Sequence, residues 1–313
     1  MTVASTSVAT TAAPAPAGAA GPPATRKPSL ILFALPALLF FLVFAIVPLL
    51  GVIVLSFTKW NGIGAIVFNG LATWQDTLTR PTTWNALWLT VRIVILSWLA
   101  QTPLSILLGV FVAGHQRYRQ VLAVIFFLPL LLSSAAIAIT YKTLLDPNFG
   151  LAAGLNIPLL AQNWLGDEVL VWFVLIFIIS WQFIPFHTLI YQGGVRQIPK
   201  ALYEAAEIDG AGRLKQFFYI TLPQLKYTII TSSTLMAVGS LTYFDIIFVL
   251  TTGGPGTSTR ILPLDMYLTG FRGSEMGVAS AIAVMLVVIG LSLAMAVQRL
   301  GGKGSRGSQM DGM

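Results

Sequence analysis

The stretch that decides the fold of this chain spans residues 193–223 and reads GGVRQIPKALYEAAEIDGAGRLKQFFYITLP. It lies between two long apolar runs, yet it carries seven of the chain's Lys, Arg, Asp and Glu residues. A segment this polar cannot cross a bilayer, which requires about 20 predominantly apolar residues. We therefore expect it to fold as a loop outside the membrane.

Local rules predict two short helices inside this loop. Pro199 suits the first position of a helix, and Lys200–Asp209 is rich in strong helix formers. Gly210 and Gly212 can end that helix. A second amphipathic helix follows and ends at Pro223, and its apolar side is formed by Leu214, Phe217 and Phe218.

The composition of the whole chain is that of a membrane protein. Only 9% of the 313 residues are charged, 56% are hydrophobic, and the mean hydropathy is +0.82. Soluble domains have about 25% charged residues, and the three figures together argue against a soluble enzyme and against a disordered protein. There is no cysteine, which excludes disulfides, thiolate catalysis and cysteine-ligated metals.

Six apolar stretches are each long enough to cross the membrane. The fold class predicted from them is an all-α membrane protein with six transmembrane helices in one domain, residues 30–298. The segment 1–29 is expected to be a disordered cytoplasmic tail, and the Gly-rich segment 299–313 a flexible cytoplasmic one. The predicted spans are 30–57, 84–113, 121–144, 169–192, 224–251 and 275–298.

Lys and Arg residues are distributed unevenly between the two sides of these spans. Eleven lie on the side of both tails and the loop 193–223, and four lie on the opposite side. Cytoplasmic loops carry the excess of Lys and Arg, so both termini and this loop are predicted to be cytoplasmic. The same excess accounts for the net charge of +7, and no nucleic-acid partner is expected. We expect a multi-pass protein of a bacterial-type cell membrane.

The spacing of residues within the loop resembles a family signature. Glu204-Ala205-Ala206 is followed after three residues by Gly210, and nine residues later by Ile220-Thr221-Leu222-Pro223. This pattern resembles the EAA signature of importer-type ABC transporter permeases. The stretch Phe244-Asp245 followed by Leu250-Thr251-Thr252-Gly253-Gly254-Pro255 is similar to sugar-importer permeases of the maltose and glycerol-3-phosphate type.

The resemblance implies the type I permease fold and a place in a larger assembly. It implies that a cytoplasmic ATPase subunit receives the helix containing Glu204, Ala205, Ala206, Asp209 and Gly210, with Leu222 and Pro223 joining it to span five. It also implies two such ATP-binding subunits, an extracytoplasmic solute-binding protein and a second permease, with a heterodimer expected. The Gly253-Gly254-Pro255 turn would lie in an outer loop near the solute-binding protein.

The expected function is carbohydrate uptake by alternating access. The sequence has no Gly-x-x-x-x-Gly-Lys-Ser/Thr phosphate loop, so ATP and Mg would bind to the partner ATPase and this chain would carry no cofactor. It is therefore expected to be a transporter subunit and not an enzyme.

Residues inside the spans suggest where a solute could pass. Sugars bind aromatic faces and planar polar groups, so Trp181, Gln182 and Tyr243 are candidates for lining the pathway. The alternative is ordinary helix packing, in which Gln182 bonds across helices.

Asp245 is an acid inside predicted span five, and such residues are functional by default. It could contact solute, or it could serve a structural or gating role in a pair with Arg92 or Lys142.

Two rival classes of function remain at this point. A secondary, ion-coupled transporter would need a relay of intramembrane acids and histidines, for which only Asp245, His187 and Glu275 are candidates. A polytopic membrane enzyme would need catalytic groups gathered near one membrane surface, and the sequence offers no such grouping.

Overall fold

A computed structural model describes residues 30–114, 116–151, 155 and 161–300, and these residues are mostly helical. The predicted tail 1–29 lies outside the described residues, as does 301–313 of the predicted C-terminal tail. The chain divides into two units, residues 1–48 and 49–313. In the first unit, helix α1 (Leu30–Phe41) leads into a π-helical turn, Leu42–Ile46, and helix α2 (Val47–Leu55) starts at its end.

The second unit contains the remaining helices and one small hairpin. Strands β1 (Thr58–Lys59) and β2 (Val67–Phe68) pair antiparallel, with Thr58 opposite Phe68. The helices are α3 (Ala72–Thr79), α4 (Pro81–Val112), α5 (Arg117–Leu131), α6 (Ser134–Leu144), α7 (Leu170–Arg196), α8 (Lys200–Ile208), α9 (Arg213–Gln216), α10 (Leu222–Gln224), α11 (Lys226–Ser240), α12 (Phe244–Leu250), α13 (Leu262–Tyr267) and α14 (Met276–Leu300). Two further π-helical segments cover Phe217–Thr221 and Leu268–Arg272.

Four helices within the described part of the chain are long and apolar enough to cross a membrane: Ala34–Leu55, Pro81–Val112, Leu170–Arg196 and Met276–Arg299. Two bent pairs, α5 with α6 and α11 with α12, raise the number to six if each pair forms one span. The six-span topology therefore remains a prediction.

Predicted spans three and five are not continuous helices. The α5–α6 pair bends by 92° and the α11–α12 pair by 44°. In the first, Leu132 and Ser133 adopt extended backbone conformations, with ψ of 146° and 134°, and this interrupts the helical hydrogen bonds. Pro129 lies inside α5, so the proline alone does not mark the break.

The main apolar core lies where α4, α6, α7, α12 and α13 meet. Fully buried isoleucines from three of these helices fill it, including Ile93, Ile178 and Ile247. In a membrane such packing is stabilised mainly by van der Waals contact, because lipid tails are as apolar as the side chains. Close helix contact therefore depends on small residues.

Gly109 provides such a contact between α4 and α7. A Cβ atom on Gly109 would lie 2.6 Å from the Cβ of Tyr191 and 3.1 Å from the backbone nitrogen of Gln192. Backbone atoms cannot rotate away as the end of a flexible side chain can. Gly109 is thus required for the spacing of the two longest helices among the described residues.

Replacing Gly109 with Ala should destabilise the protein. The clash with α7 should cost about 1–3 kcal/mol, which outweighs the gain of roughly 1 kcal/mol in helix propensity. Gly239→Ala is the matched control, since Gly239 also lies inside a helix and a Cβ atom there would meet no other atom within 4 Å. Thermal unfolding in detergent should show a lower midpoint for Gly109→Ala and an equal or higher one for Gly239→Ala. Equal midpoints for both variants would contradict this account.

Candidate functional site

The loop 193–223 folds into the two short helices that its sequence predicts, with small differences at their ends. Pro199 is the N-cap of α8 and not its first helical residue, because its ψ of 130° is extended. The helix ends at Ile208, and the turn after it contains Gly210, whose φ of +73° is readily adopted by glycine. The N–H groups of Gly210 and Ala211 donate to the carbonyls of Glu207 and Ala206 at 3.0 and 2.8 Å, which closes the last turn.

The docking residues predicted on and next to helix α8 are largely exposed. Glu204, Ala205, Asp209 and Gly210 are exposed, and Ala206 is partly buried. None of the charged groups among them forms an ion pair with another described residue. The predicted docking residues therefore form an accessible surface of mixed acidic and small side chains.

Large apolar side chains enlarge this surface. Ile208, Leu214 and Tyr219 are 87%, 72% and 81% exposed. Ile208 and Tyr219 were not predicted to belong to the site, although an apolar residue between acids on a polar loop was a usable signal. The predicted apolar face of the second helix is split, since Leu214 and Phe218 are exposed while Phe217 packs against a buried cluster.

That buried cluster fixes the base of the loop to the bundle. It contains Ile106 of α4, Tyr191 of α7 and Leu225, with Leu222 partly buried against it. Pro223 is exposed and lies in the first turn of the short helix α10, so it does not end the preceding helical segment. A rigid base thus carries an exposed helix.

Gln182 is buried on α7 and bonds to the break between α5 and α6. Its Nε2 donates to the carbonyl of Leu132 at 3.2 Å and to the hydroxyl of Ser134 at 3.0 Å. The extended backbone at Leu132 and Ser133 leaves carbonyl groups without helical partners, and such groups are costly in lipid. This is the cross-helix role that was the alternative to pathway lining.

Trp181 and Tyr243, the other two pathway candidates, pack at the main core. Tyr243 is buried, and its ring lies 5.3 Å from that of Phe183. Trp181 is partly buried and meets the ring of Tyr141 edge-on at 5.8 Å. The structure therefore brings these aromatic residues into one cluster with their rings in contact with other side chains.

Asp245 is exposed near the start of α12, and the suggested ion pairs with Arg92 and Lys142 are not formed. The guanidinium of Arg92 instead lies over the ring of Trp172 at 4.3 Å, and Lys142 Nζ donates to the carbonyl of Val249 at 3.5 Å. The hypothesis of a structural pair was wrong in its partners. Asp245 is thus exposed and makes no ion pair with another residue in the described part of the chain.

The residues Gly253, Gly254 and Pro255 form a tight turn after α12. Gly253 has a φ of +94°, a conformation for which glycine is suited. The hydroxyl of Thr259 donates to the carbonyl of Gly254 at 2.8 Å, and the N–H of Thr259 donates to the carbonyl of Gly253 at 3.1 Å. These bonds give this turn a defined shape.

A buried ion pair that was not predicted from the sequence joins the segment after this turn to α13. Asp265 is 1% exposed, and Arg260 Nε donates to its Oδ1 at 2.7 Å. Burial raises the pKa of Asp265, while Arg260 opposes that shift. The signal available in the sequence was a single acid within an apolar run, five residues after an arginine.

A cavity of about 500 Å³ lies between the hairpin, α3 and the start of α14. Its two acids, Asp76 and Glu275, are both bound by Arg80, and these hydrogen bonds raise the pKa of the arginine. Neither acid is available as a general base. Within the described ranges, no three acidic or histidine side chains are placed to hold a metal ion.

Comparison with known proteins gives one consistent result. A family model described as "Binding-protein-dependent transport system inner membrane component" matches residues 101–303. A Pyrococcus horikoshii protein named a probable ABC transporter permease protein is 34% identical, over 84% of this chain and 92% of its own. The trehalose/maltose transport system permease protein MalF of Thermococcus litoralis is 32% identical, over 86% of this chain and 92% of its own.

A solved structure shares the fold. It is a chain of a bacterial alginate ABC transporter, crystallised in complex with alginate pentasaccharide-bound periplasmic protein. The TM-score is 0.73 at 24% sequence identity, and the match covers 87% of this chain and 93% of that one.

Replacing Gln182 with Leu tests whether this residue is structural. The carbonyl of Leu132 would lose its partner, at a cost of about 1 kcal/mol, and the thermal midpoint should fall by a few degrees. The KM for solute uptake should stay unchanged. Gln197→Leu, an exposed position at the end of the same helix, should change neither quantity. A raised KM with an unchanged midpoint would instead place Gln182 in the solute pathway.

Replacing Arg260 with Gln should destabilise the protein more at pH 8 than at pH 5. The variant leaves the Asp265 carboxylate buried without its cation, which typically costs about 3–5 kcal/mol. Burial raises the pKa of Asp265 in the folded state. The carboxyl group of Asp265 therefore contributes most to stability at low pH, and this contribution is lost as the pH rises through that pKa. Adding Asp265→Asn to Arg260→Gln should abolish this pH dependence in thermal melts. Equal destabilisation of the single variant at both pH values would refute the prediction.

Proposed function

The chain belongs to the family of binding-protein-dependent transport system inner membrane components and is a permease subunit of an ABC importer, and we propose that it forms half of a membrane pathway for carbohydrate. The single observation that carries the ATPase-driven part of this proposal is the exposed helix α8, which is followed by a segment packed in the buried cluster of Ile106, Tyr191 and Leu225. We further propose six spans with both termini in the cytoplasm, following the distribution of Lys and Arg.

The exposed surface of α8 and α9 is proposed to dock on a cytoplasmic ATPase subunit. Glu204, Glu207 and Asp209 supply negative charge, and Ile208 and Leu214 supply exposed apolar area next to it. An apolar centre with charged neighbours is typical of specific protein interfaces. Two such ATPase subunits would bind ATP and Mg, since the chain has no phosphate-binding loop of its own.

Transport is proposed to occur by alternating access between this chain and a second permease, most simply as a heterodimer. ATP can shift a conformational equilibrium only if the ATPase interacts differently with the two states of the permease. Helix α8 is exposed, and the segment after it is packed on α4 and α7. A displacement of the ATPase would therefore pass through this helix to the spans.

The proposed solute is a sugar or oligosaccharide delivered by an extracytoplasmic binding protein. The relative from Thermococcus litoralis is named for trehalose and maltose, and the alginate transporter was crystallised with a sugar-loaded periplasmic protein. The shaped turn at Gly253-Gly254-Pro255 is the proposed contact for that protein. The exposed carboxylate of Asp245 and the partly buried ring of Trp181 are the proposed solute contacts, and Tyr243 is proposed to contribute from the core.

An ion-coupled transporter is not favoured. Its three candidate relay residues are engaged separately or stand apart among the described residues. His187 Nδ1 lies 2.9 Å from Ser232 Oγ, Glu275 is bound by Arg80, and Asp245 is exposed without an ion pair. A proton relay needs neighbouring groups that exchange a proton.

The test of this function is uptake into proteoliposomes. The chain would be reconstituted with its second permease and ATPase subunits, and labelled oligosaccharide and binding protein would be added on the outer side. Uptake should require both ATP inside and the binding protein outside. Uptake driven by a proton gradient without ATP would contradict the proposal.

Glu204→Ala should weaken the ATPase contact. Loss of one buried charged contact should lower ATP-driven uptake by about tenfold, which corresponds to about 1.4 kcal/mol. Glu168→Ala, at an exposed position in another loop, is the control and should leave uptake unchanged. The amount of ATPase that co-purifies with each variant is measured alongside. Normal co-purification and uptake for Glu204→Ala would count against docking at this helix.

A further inference from the structure

Apart from its backbone connections, helix α8 has one side-chain hydrogen bond to the rest of the described chain. Of its nine residues, only Tyr203 and Ala206 are partly buried, and the others are exposed. The hydroxyl of Tyr203 lies 2.8 Å from the hydroxyl of Thr221. Within the described residues this is the only side-chain hydrogen bond made by α8 to another segment of the chain. The docking surface and the attachment point are therefore different residues.

The backbone connection between α8 and α9 contains two glycines, and the Ala211 carbonyl between them accepts from Gln216 Nε2 at 2.9 Å. It runs through Gly210, Ala211 and Gly212, and a Cβ atom at either glycine would meet nothing within 4 Å. Glycine has the greatest conformational freedom of all residues. A push on α8 could therefore be absorbed by rotation at these glycines unless a second connection resists it.

Thr221 connects the other end of this bond to the bundle. It is 3% exposed and lies at the end of the π-helical segment 217–221. Its hydroxyl lies 2.8 Å from that of Tyr203, where either hydroxyl can donate, and 3.5 Å from the carbonyl of Gln216. The carbonyl of Thr221 in turn accepts from the N–H of Leu225 at 3.0 Å.

Leu225 completes the connection to a membrane helix. It is fully buried in the cluster with Ile106 and Tyr191, and its carbonyl accepts from the N–H of Ile229 in α11 at 2.8 Å. A continuous path of contacts thus runs from Tyr203 through Thr221 and Leu225 to α11. The path bypasses the glycine turn.

We propose that Tyr203 and Thr221 are positioning residues that pass the movement of helix α8 to α11, so that ATP hydrolysis is coupled to reorientation of the spans. The proposal rests on the proposed function, because it assumes that an ATPase moves α8. Neither residue needs to contact the ATPase, ATP or solute. Without the bond, the ATPase would still dock, but α8 would pivot at Gly210 and Gly212.

The test measures the number of ATP molecules hydrolysed per solute molecule taken up in proteoliposomes. For Tyr203→Phe and Thr221→Val this ratio should rise by about fivefold, which is about 1 kcal/mol at 1.4 kcal/mol per tenfold. The amount of co-purifying ATPase should be unchanged. Tyr227→Phe is the matched control, since this exposed tyrosine at the start of α11 lies outside the docking surface and has no side-chain hydrogen bond among the described residues.

Two further variants separate coupling from folding. Thr221→Ser keeps the hydroxyl and should restore the ratio, whereas a purely structural loss of the methyl group would not be restored. The double variant Tyr203→Phe/Thr221→Val should be no worse than either single variant, because both remove the same bond.

Each outcome supports or overturns the proposal. An unchanged ratio in both single variants, or an additive loss in the double variant, would overturn it while leaving ATPase docking intact. Loss of ATPase co-purification in Tyr203→Phe would show that the tyrosine belongs to the docking surface, and this would also overturn it. If the unsubstituted chain shows no ATP-dependent uptake, the proposed function fails first and the coupling role fails with it.

Discussion

Every backbone N–H and C=O group inside a bilayer must find a partner within the protein, and this constraint governs the architecture. Continuous helices such as α4 and α7 meet it by themselves. At the α5–α6 break and at the start of α13, a side chain from another helix supplies a bond to the backbone. Gln182 donates to the carbonyl of Leu132 at one break, and the hydroxyl of Thr90 accepts from the N–H of Leu262 at the start of α13. The bends are therefore built into the polar contacts of the bundle.

These polar contacts also distinguish the two regions of the protein. In the bundle, buried side chains such as His187 and Asp265 have partners on neighbouring elements. In the loop 193–223, the charged side chains of α8 make no ion pairs with described residues, and large apolar side chains face outward. The exposed charged and apolar side chains of this loop are the physical basis for proposing the ATPase contact there.

The candidate residues predicted from the sequence differ in how far local information could reach. Helix α8 was predicted to within one residue of each end, since proline, alanine, glutamate and glycine act through their own backbone preferences. The role of Gln182 was left open between pathway and packing, because the choice depends on the extended backbone 50 residues earlier. The bond between Tyr203 and Thr221 was not foreseen, because it spans 18 residues and a turn.

The sequence by itself determined that this chain is a membrane protein and which of its segments are apolar. It also determined that residues 193–223 are polar and carry a family signature. These properties follow from composition and short spacing. Only the tertiary structure decided where α5–α6 and α11–α12 bend and which side chain bonds to the backbone at the first break. It also decided that Asp265 is buried against Arg260, while Asp245 makes no ion pair with a described residue. Such features depend on which elements come into contact, and no local propensity or spacing specifies those contacts.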